Sequence, residues 1–94
     1  MTKQEIRDKL VACLREVQEA SGREVPPLTD GLRPLLDLPG FESLNGEEVA
    51  LELEEWLRCR IDHHARLFCG QKRPLTIAEI VDRLYQIASR EAGG

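Results

Sequence analysis

The chain has 94 residues, a length that gives one domain with a modest core and is too short for two. Apolar residues make up 41% and charged residues 32% of it, as in an ordinary soluble, folded protein. The net charge of −4 argues against a nucleic-acid-binding domain, which would present a basic surface. We find no signal peptide and no apolar run of about 20 residues, so we expect a cytoplasmic protein without membrane insertion.

The first predicted helix begins near the N-terminus. Thr2 is suited to cap it, and Glu5, three residues later, completes a capping box. Apolar residues then recur at helical spacing and form one stripe: Ile6, Leu10, Cys13, Leu14 and Val17. Ser21-Gly22 is expected to end this helix.

A proline-containing stretch follows, over residues 22–42. Its prolines, Pro26, Pro27, Pro34 and Pro39, exclude a long helix. Its apolar residues predict an ordered loop packed on the core: Leu28, Leu32, Leu35, Leu36, Leu38 and Phe41. A loop of this length in so small a domain is usually functional or disordered, and the leucines favour a functional one.

The second predicted helix covers residues 43–57. One side is expected to face the core: Val49, Ala50, Leu53, Trp56 and Leu57. The opposite side, called here the acidic face, carries Leu44, Glu47, Glu48, Leu51 and Glu55. Two leucines among carboxylates on the solvent side do not help the core, so we interpret them as contacts for a partner protein.

The last third of the chain contains an irregular basic segment and a final helix. Over residues 58–73 we expect Ile61, Leu67 and Phe68 to pack on the bundle, with a short irregular helix opened by Asp62. Thr76 and Glu79 form a second capping box. The final helix then has one apolar side: Ile77, Ile80, Val81, Leu84 and Ile87. With no predicted strand, the fold class is all-α, a bundle of three main helices plus a short irregular third helix.

Ser43, at the start of the second predicted helix, allows two interpretations. Its oxygen can accept a hydrogen bond from the amides of the first helical turn, which is the role of an N-cap. The unpaired N–H groups and the positive dipole end of a helix also favour a phosphate at this position. Ser43 is therefore either a cap alone or a place to carry a phosphodiester.

The segment GFESLNGEEVALELEEWL, residues 40–57, resembles the start of the second helix of acyl and peptidyl carrier proteins. The hallmark of that family is Asp-Ser-Leu, whose serine carries 4′-phosphopantetheine. The segment LTIAEIVDRL, residues 75–84, is similar to the family's last helix, and the long first loop with Asp30-Gly31-Leu32 fits as well. The resemblance covers one domain, residues 1–92, followed by a flexible tail, residues 93–94.

The resemblance implies a function without catalysis. A phosphopantetheinyl transferase would use coenzyme A and magnesium to attach the 4′-phosphopantetheine arm to Ser43. The thiol of the arm would hold acyl groups as thioesters and present them to acyl-transferring or acyl-modifying enzymes in fatty-acid, lipid or secondary-metabolite biosynthesis. The family's docking positions correspond here to Glu42, Leu44, Glu47, Glu48 and Leu51. Members of the family are usually monomers.

Three features depart from the family pattern. Glu42 replaces the aspartate before the serine, and Glu47 occupies a position that is usually apolar. The segment over residues 58–73 is longer than usual and basic, where acidic residues are common. Together they indicate either a specialised carrier with its own partners or a degenerate carrier that is never modified.

Two other interpretations stay open. A non-modified helical interaction module would use Ser43 only as a cap and bind a protein through the acidic face. A zinc-stabilised domain would use the one cluster of metal-ligand residues, Cys59, His63, His64 and Cys69. Its spacing is not that of a familiar zinc site, and neighbouring arginines oppose a cation. With Cys13, the cysteines are odd in number, which favours free thiols.

Overall fold

The computed structural model describes residues 1–93 and, apart from residues 65 and 91–93, their side chains. Within this range the elements are α1 (Lys3–Ala20), α2 (Pro34–Asp37), α3 (Ser43–Leu57), a 3-10 turn (His64–Arg66) and α4 (Ile77–Gly93). The only extended pairing over residues 1–93 is a single bridge between Cys69 and Pro74. The predicted all-α bundle is therefore confirmed.

Two further expectations concern the flexible tail and the absence of membrane insertion. The predicted tail begins at residue 93, whereas α4 extends to Gly93, and residue 94 lies outside the described residues. Over residues 1–93 no helix combines the length and the apolar composition that crossing a bilayer requires.

The capping box predicted for α1 is confirmed. The Glu5 N–H donates to Thr2 Oγ1 at 3.1 Å, and the Thr2 N–H donates to Glu5 Oε1 at 2.9 Å. The apolar stripe of α1 is buried from Ile6 to Leu14, while Val17 is only partly covered. Since α1 packs against both α3 and α4, the core lies where these three helices meet.

The first loop is more structured than predicted, because it contains α2. Pro34 occupies the first helical position, where its missing N–H costs no hydrogen bond. Asp37 Oδ2 accepts from the Arg33 N–H at 2.7 Å and holds this short helix together. Of the predicted anchors, Leu32, Leu38 and Phe41 are buried and Leu28 and Leu35 are partly buried. The prediction for Leu36 is wrong, since its side chain is 66% exposed.

Hydrogen bonds fasten the first loop to the helices at both ends. The buried Gln18 of α1 donates from Nε2 to the carbonyl oxygens of Glu24 at 3.2 Å and Pro39 at 2.8 Å. At the other side of the bundle, the Ile77 N–H donates to the Leu32 carbonyl at 2.9 Å. The loop thus covers the N-terminus of α4. The N-terminus of α3 follows directly after the last residue of the loop.

The basic segment after α3 is held by Glu54. Its Oε2 accepts from the Ile61 N–H at 2.6 Å and lies 3.0 Å from His64 Nε2. These partners, the Ile61 N–H first, lower the pKa of the Glu54 carboxyl. The irregular helix is one 3-10 turn that follows His63, whose φ is 55°, so the prediction that Asp62 opens it is wrong. Ile61, Leu67 and Phe68 are buried as predicted.

Trp56 does not occupy the core position that the helical pattern predicted. Its side chain is only partly buried and packs at the edge of the core, with Lys9 Nζ lying 6.0 Å from the ring centroid. The other predicted core residues of α3 are buried.

Glu79 joins the segment before α4 to the helix. The Glu79 N–H donates to Thr76 Oγ1 at 3.2 Å, which confirms the second capping box. Arg73 donates to both carboxylate oxygens of Glu79, from Nη2 at 2.6 Å and from Nη1 at 3.1 Å. Arg73 first, and then the Thr76 N–H, lower the pKa of Glu79 to about 2 from an ordinary value of 4.5.

The depressed pKa of Glu79 predicts a dependence of stability on pH. Its contribution to folding is fully present above pH 4.5 and is lost as the pH falls towards 2. We therefore expect Glu79→Gln to be less stable than the wild type at pH 7, and the difference to shrink below pH 4.5. Thermal unfolding of both proteins at pH 7, 4.5 and 2.5 measures this, with Glu55→Gln on α3 as the control. A difference that stays constant with pH would contradict the assignment.

Candidate functional site

Ser43 is exposed at the surface as the first residue of α3. The preceding residue, Glu42, has the extended backbone of an N-cap, so the prediction that Ser43 itself is the cap is wrong by one position. Among the described residues, no hydrogen bond involves the Ser43 hydroxyl. The side chain is therefore available to react or to be modified without breaking an internal contact.

The aromatic ring of Phe68 determines where α3 begins. Phe41, just before the helix, is buried and meets Phe68 edge-on, with ring centroids 5.6 Å apart and an interplanar angle of 61°. Within the first turn, a Cβ at Gly46 would lie 3.1 Å from Phe68 Cδ2. Glycine thus lets the first turn approach the ring closely, and Ser43 lies between these two contact points in the chain.

Arg23 brings a positive charge to the start of α3. Gly40 has a left-handed backbone with φ of 71°, and a Cβ there would lie 2.7 Å from Arg23 Nε. The same guanidinium donates from Nη1 to Asn45 Oδ1 at 3.4 Å. Asn45 Oδ1 also accepts from the Glu42 N–H at 3.0 Å, so Arg23 supports the turn that precedes Ser43.

The acidic face predicted on α3 lies at the surface. Leu44 is 65% exposed and Leu51 is 51% exposed, so neither side chain contributes to the core. Glu48 and Glu55 are exposed on the same side, Glu47 is half-buried, and Glu42 is exposed beside Ser43. The helix therefore places the predicted docking residues together on one solvent-facing surface that starts at Ser43.

The cysteines and histidines of the basic segment do not converge. No group of three or more His, Cys, Asp or Glu side chains in the described part of the chain is arranged to hold a metal ion. His64 pairs with Glu54 instead, while Cys59 and Cys69 each lie 3.4 Å from a nearby backbone carbonyl. The helix that would align Cys59 with His63 does not exist, because α3 ends at Leu57.

The thiols of the described chain are all free, and one of them is buried. Burial raises the pKa of the Cys13 thiol to about 12, so it stays protonated at neutral pH and acts as a core residue.

Two residues of the site, Arg23 and Gly46, had no part in the sequence-based prediction. Gly46 gave a usable signal, since a glycine inside a helical pattern often marks a close approach of another group. Arg23 gave no signal in the sequence, because the conformation of the whole first loop determines that its side chain lies near Asn45.

Comparison of the chain with known protein families, with curated proteins and with solved structures finds no match.

Close packing of Gly46 against Phe68 predicts non-additive substitutions. Gly46→Ala would gain helix propensity of up to about 1 kcal/mol but would press on a ring that is only 1% exposed. We expect Gly46→Ala to destabilise the wild type and to stabilise the Phe68→Leu variant. Urea unfolding of the four proteins measures the coupling.

Gly31→Ala is the matched control, since a Cβ at Gly31 meets no atom within 4 Å. It should change stability equally in both backgrounds. The same result for Gly46→Ala would show that the first turn of α3 does not rest on Phe68.

Proposed function

We propose that this protein is an acyl carrier protein of a specialised kind, in which Ser43 carries 4′-phosphopantetheine. The observation that carries the proposal is the hydroxyl of Ser43, which is exposed and forms no hydrogen bond with the described residues. Ser43 is the first residue of α3, where the acidic face begins. The resemblance of residues 40–57 and 75–84 to carrier proteins supports it, as does the order of the helices.

The surroundings of Ser43 suit a phosphodiester. The N-terminus of a helix offers backbone N–H groups and the positive end of its dipole, and both stabilise an attached phosphate. Arg23 adds a guanidinium that reaches the first turn through Asn45. The exposed Glu42 opposes this charge, yet it stands before the helix and is open to solvent.

Each part of the chain has a distinct role in this proposal. When bound, the phosphopantetheine supplies a thiol that holds an acyl group as a thioester. Ser43 provides the oxygen for attachment. The backbone N–H groups and the positive dipole end at the N-terminus of α3 stabilise the phosphate. Phe68 and Gly46 hold the first turn in place, so that the attachment point has a fixed position on the surface. The protein itself performs no catalysis, because the modifying and acylating enzymes bring the reactive groups.

The acidic face defines the kind of partner. Glu42 and the exposed carboxylates of α3 would steer a basic enzyme surface towards Ser43, and Leu44 and Leu51 would then supply apolar contact. The partners in this proposal are a phosphopantetheinyl transferase and enzymes that transfer or modify acyl groups. Glu42, one methylene longer than the aspartate of the family, would select among transferases. We further propose that the carrier works as a cytoplasmic monomer.

A second candidate uses the same face without modification. The exposure of Leu44 and Leu51 also suits a helical interaction module that binds a protein partner directly. The two proposals differ in whether Ser43 accepts the arm.

Intact mass tests the proposed modification. We expect the protein, incubated with coenzyme A, magnesium and a broad-specificity phosphopantetheinyl transferase, to gain one phosphopantetheine. Ser43→Ala should gain none, while Ser89→Ala, which removes an exposed serine from α4, should gain one. Because Ser43 is not the cap, Ser43→Ala should change the free energy of unfolding by less than about 0.5 kcal/mol. A folded wild type that stays unmodified, together with an unmodified Glu42→Asp variant, would favour the interaction module.

The acidic face predicts a separable docking defect. Leu51→Asp should leave the fold intact, since the side chain is half-exposed, and should lower kcat/KM of the transferase about tenfold through lost apolar contact. Leu36→Asp changes a leucine of α2 that is even more exposed, at 66%, and serves as the control. An unfolded Leu51→Asp protein, or equal effects of both variants, would contradict docking through this face.

A further inference from the structure

A basic groove lies between the segment after α3 and the C-terminal half of α4. It has a volume of about 650 Å³, which is within the usual size of a small-molecule site. Four arginines line it, namely Arg60, Arg66, Arg83 and Arg90. Among the described residues of its lining, the single carboxylate is that of Asp62. The groove is therefore strongly positive in a protein whose net charge is −4.

The arginines of the groove have few anionic partners among the side chains that the structure describes. Arg60 Nε lies 3.9 Å from Asp62 Oδ1, and both side chains are more than four-fifths exposed, so this ion pair is weak. In the part of the chain that the structure describes, Arg66 and Arg90 form no salt bridge with a carboxylate. Guanidinium groups that line one groove with few counter-charges repel one another, and a bound anion would relieve this repulsion.

Arg83 is held in place independently of any ligand. Its Nη1 donates to the Arg66 carbonyl at 2.6 Å and lies 3.5 Å from the Cys69 carbonyl. Because backbone groups fix this guanidinium, little conformational freedom is lost when its remaining N–H groups bind an anion. His63 and Gln86 in the lining add further polar groups.

We propose that this groove is a binding site for a small soluble polyphosphate or phosphate ester. Guanidinium groups bind phosphate through paired N–H···O bonds, and several of them together suit more than one phosphate charge. Buried Ile61 and Leu67 form the base of the groove, which leaves its charged rim as the recognition surface. The site is distinct from Ser43, which is not among the described residues that line the groove. The binding proposal therefore does not depend on the carrier function.

Titration of the full chain with inorganic pyrophosphate tests the site. We expect saturable binding of one pyrophosphate by calorimetry, with amide chemical shifts that change at residues 60–67 and 83–90. Arg66→Gln combined with Arg90→Gln should raise the Kd at least tenfold, whereas Arg66→Lys should have a smaller effect because the charge remains. Arg15→Gln removes an exposed arginine of α1 and should leave the Kd within twofold.

Three results would overturn the proposal. The first is binding that does not saturate, and the second is binding that Arg15→Gln weakens as much as the double variant does. The third is a groove that binds polyglutamate but not pyrophosphate, which would assign it to an acidic protein instead. Circular dichroism melting of each variant confirms that a lost affinity does not reflect lost folding. Modification at Ser43 is measured separately by mass, so failure of the groove and failure of the carrier function are distinguishable.

Discussion

The contact between Phe68 and the first turn of α3 is the constraint on which the candidate site depends. The Phe68 ring contacts the Phe41 ring in an edge-to-face arrangement and lies close to the backbone of Gly46. It therefore fixes Phe41, just before α3, and the first turn of the helix. Ser43 lies between these residues in the chain and needs no internal hydrogen bond of its own. The core therefore fixes the position of an exposed serine whose hydroxyl has no hydrogen-bond partner among the described residues.

The long first loop is held by polar contacts as much as by its leucines. Gln18 presents a buried amide that bonds to carbonyls near both ends of the loop, which are 15 residues apart in Glu24 and Pro39. The loop carbonyl of Leu32 in turn bonds to the first turn of α4. As a result the loop covers the N-terminus of α4 and does not cover the N-terminus of α3.

Local patterns predicted the long helices well, and contacts between distant residues account for most of the errors. Both capping boxes and the bounds of α3 follow from spacings of three and four residues, which the sequence displays directly. The short helix that begins at Pro34 was not predicted, although the prolines do exclude a long one, and Trp56 was assigned to the core although it lies at its edge. The basic groove escaped prediction altogether, because segments some twenty residues apart form it.

The protein carries two separate surfaces of opposite charge. Exposed carboxylates lie along α3, whereas four arginines line the groove beside the C-terminal half of α4. Separated charges of opposite sign experience a torque in the field of another macromolecule, and this torque acts before any contact forms. A positively charged surface is therefore turned towards the carboxylates of α3, and a negatively charged one towards the arginines of the groove. Orientation is thus selected during diffusion, at distances where side-chain shape has no influence.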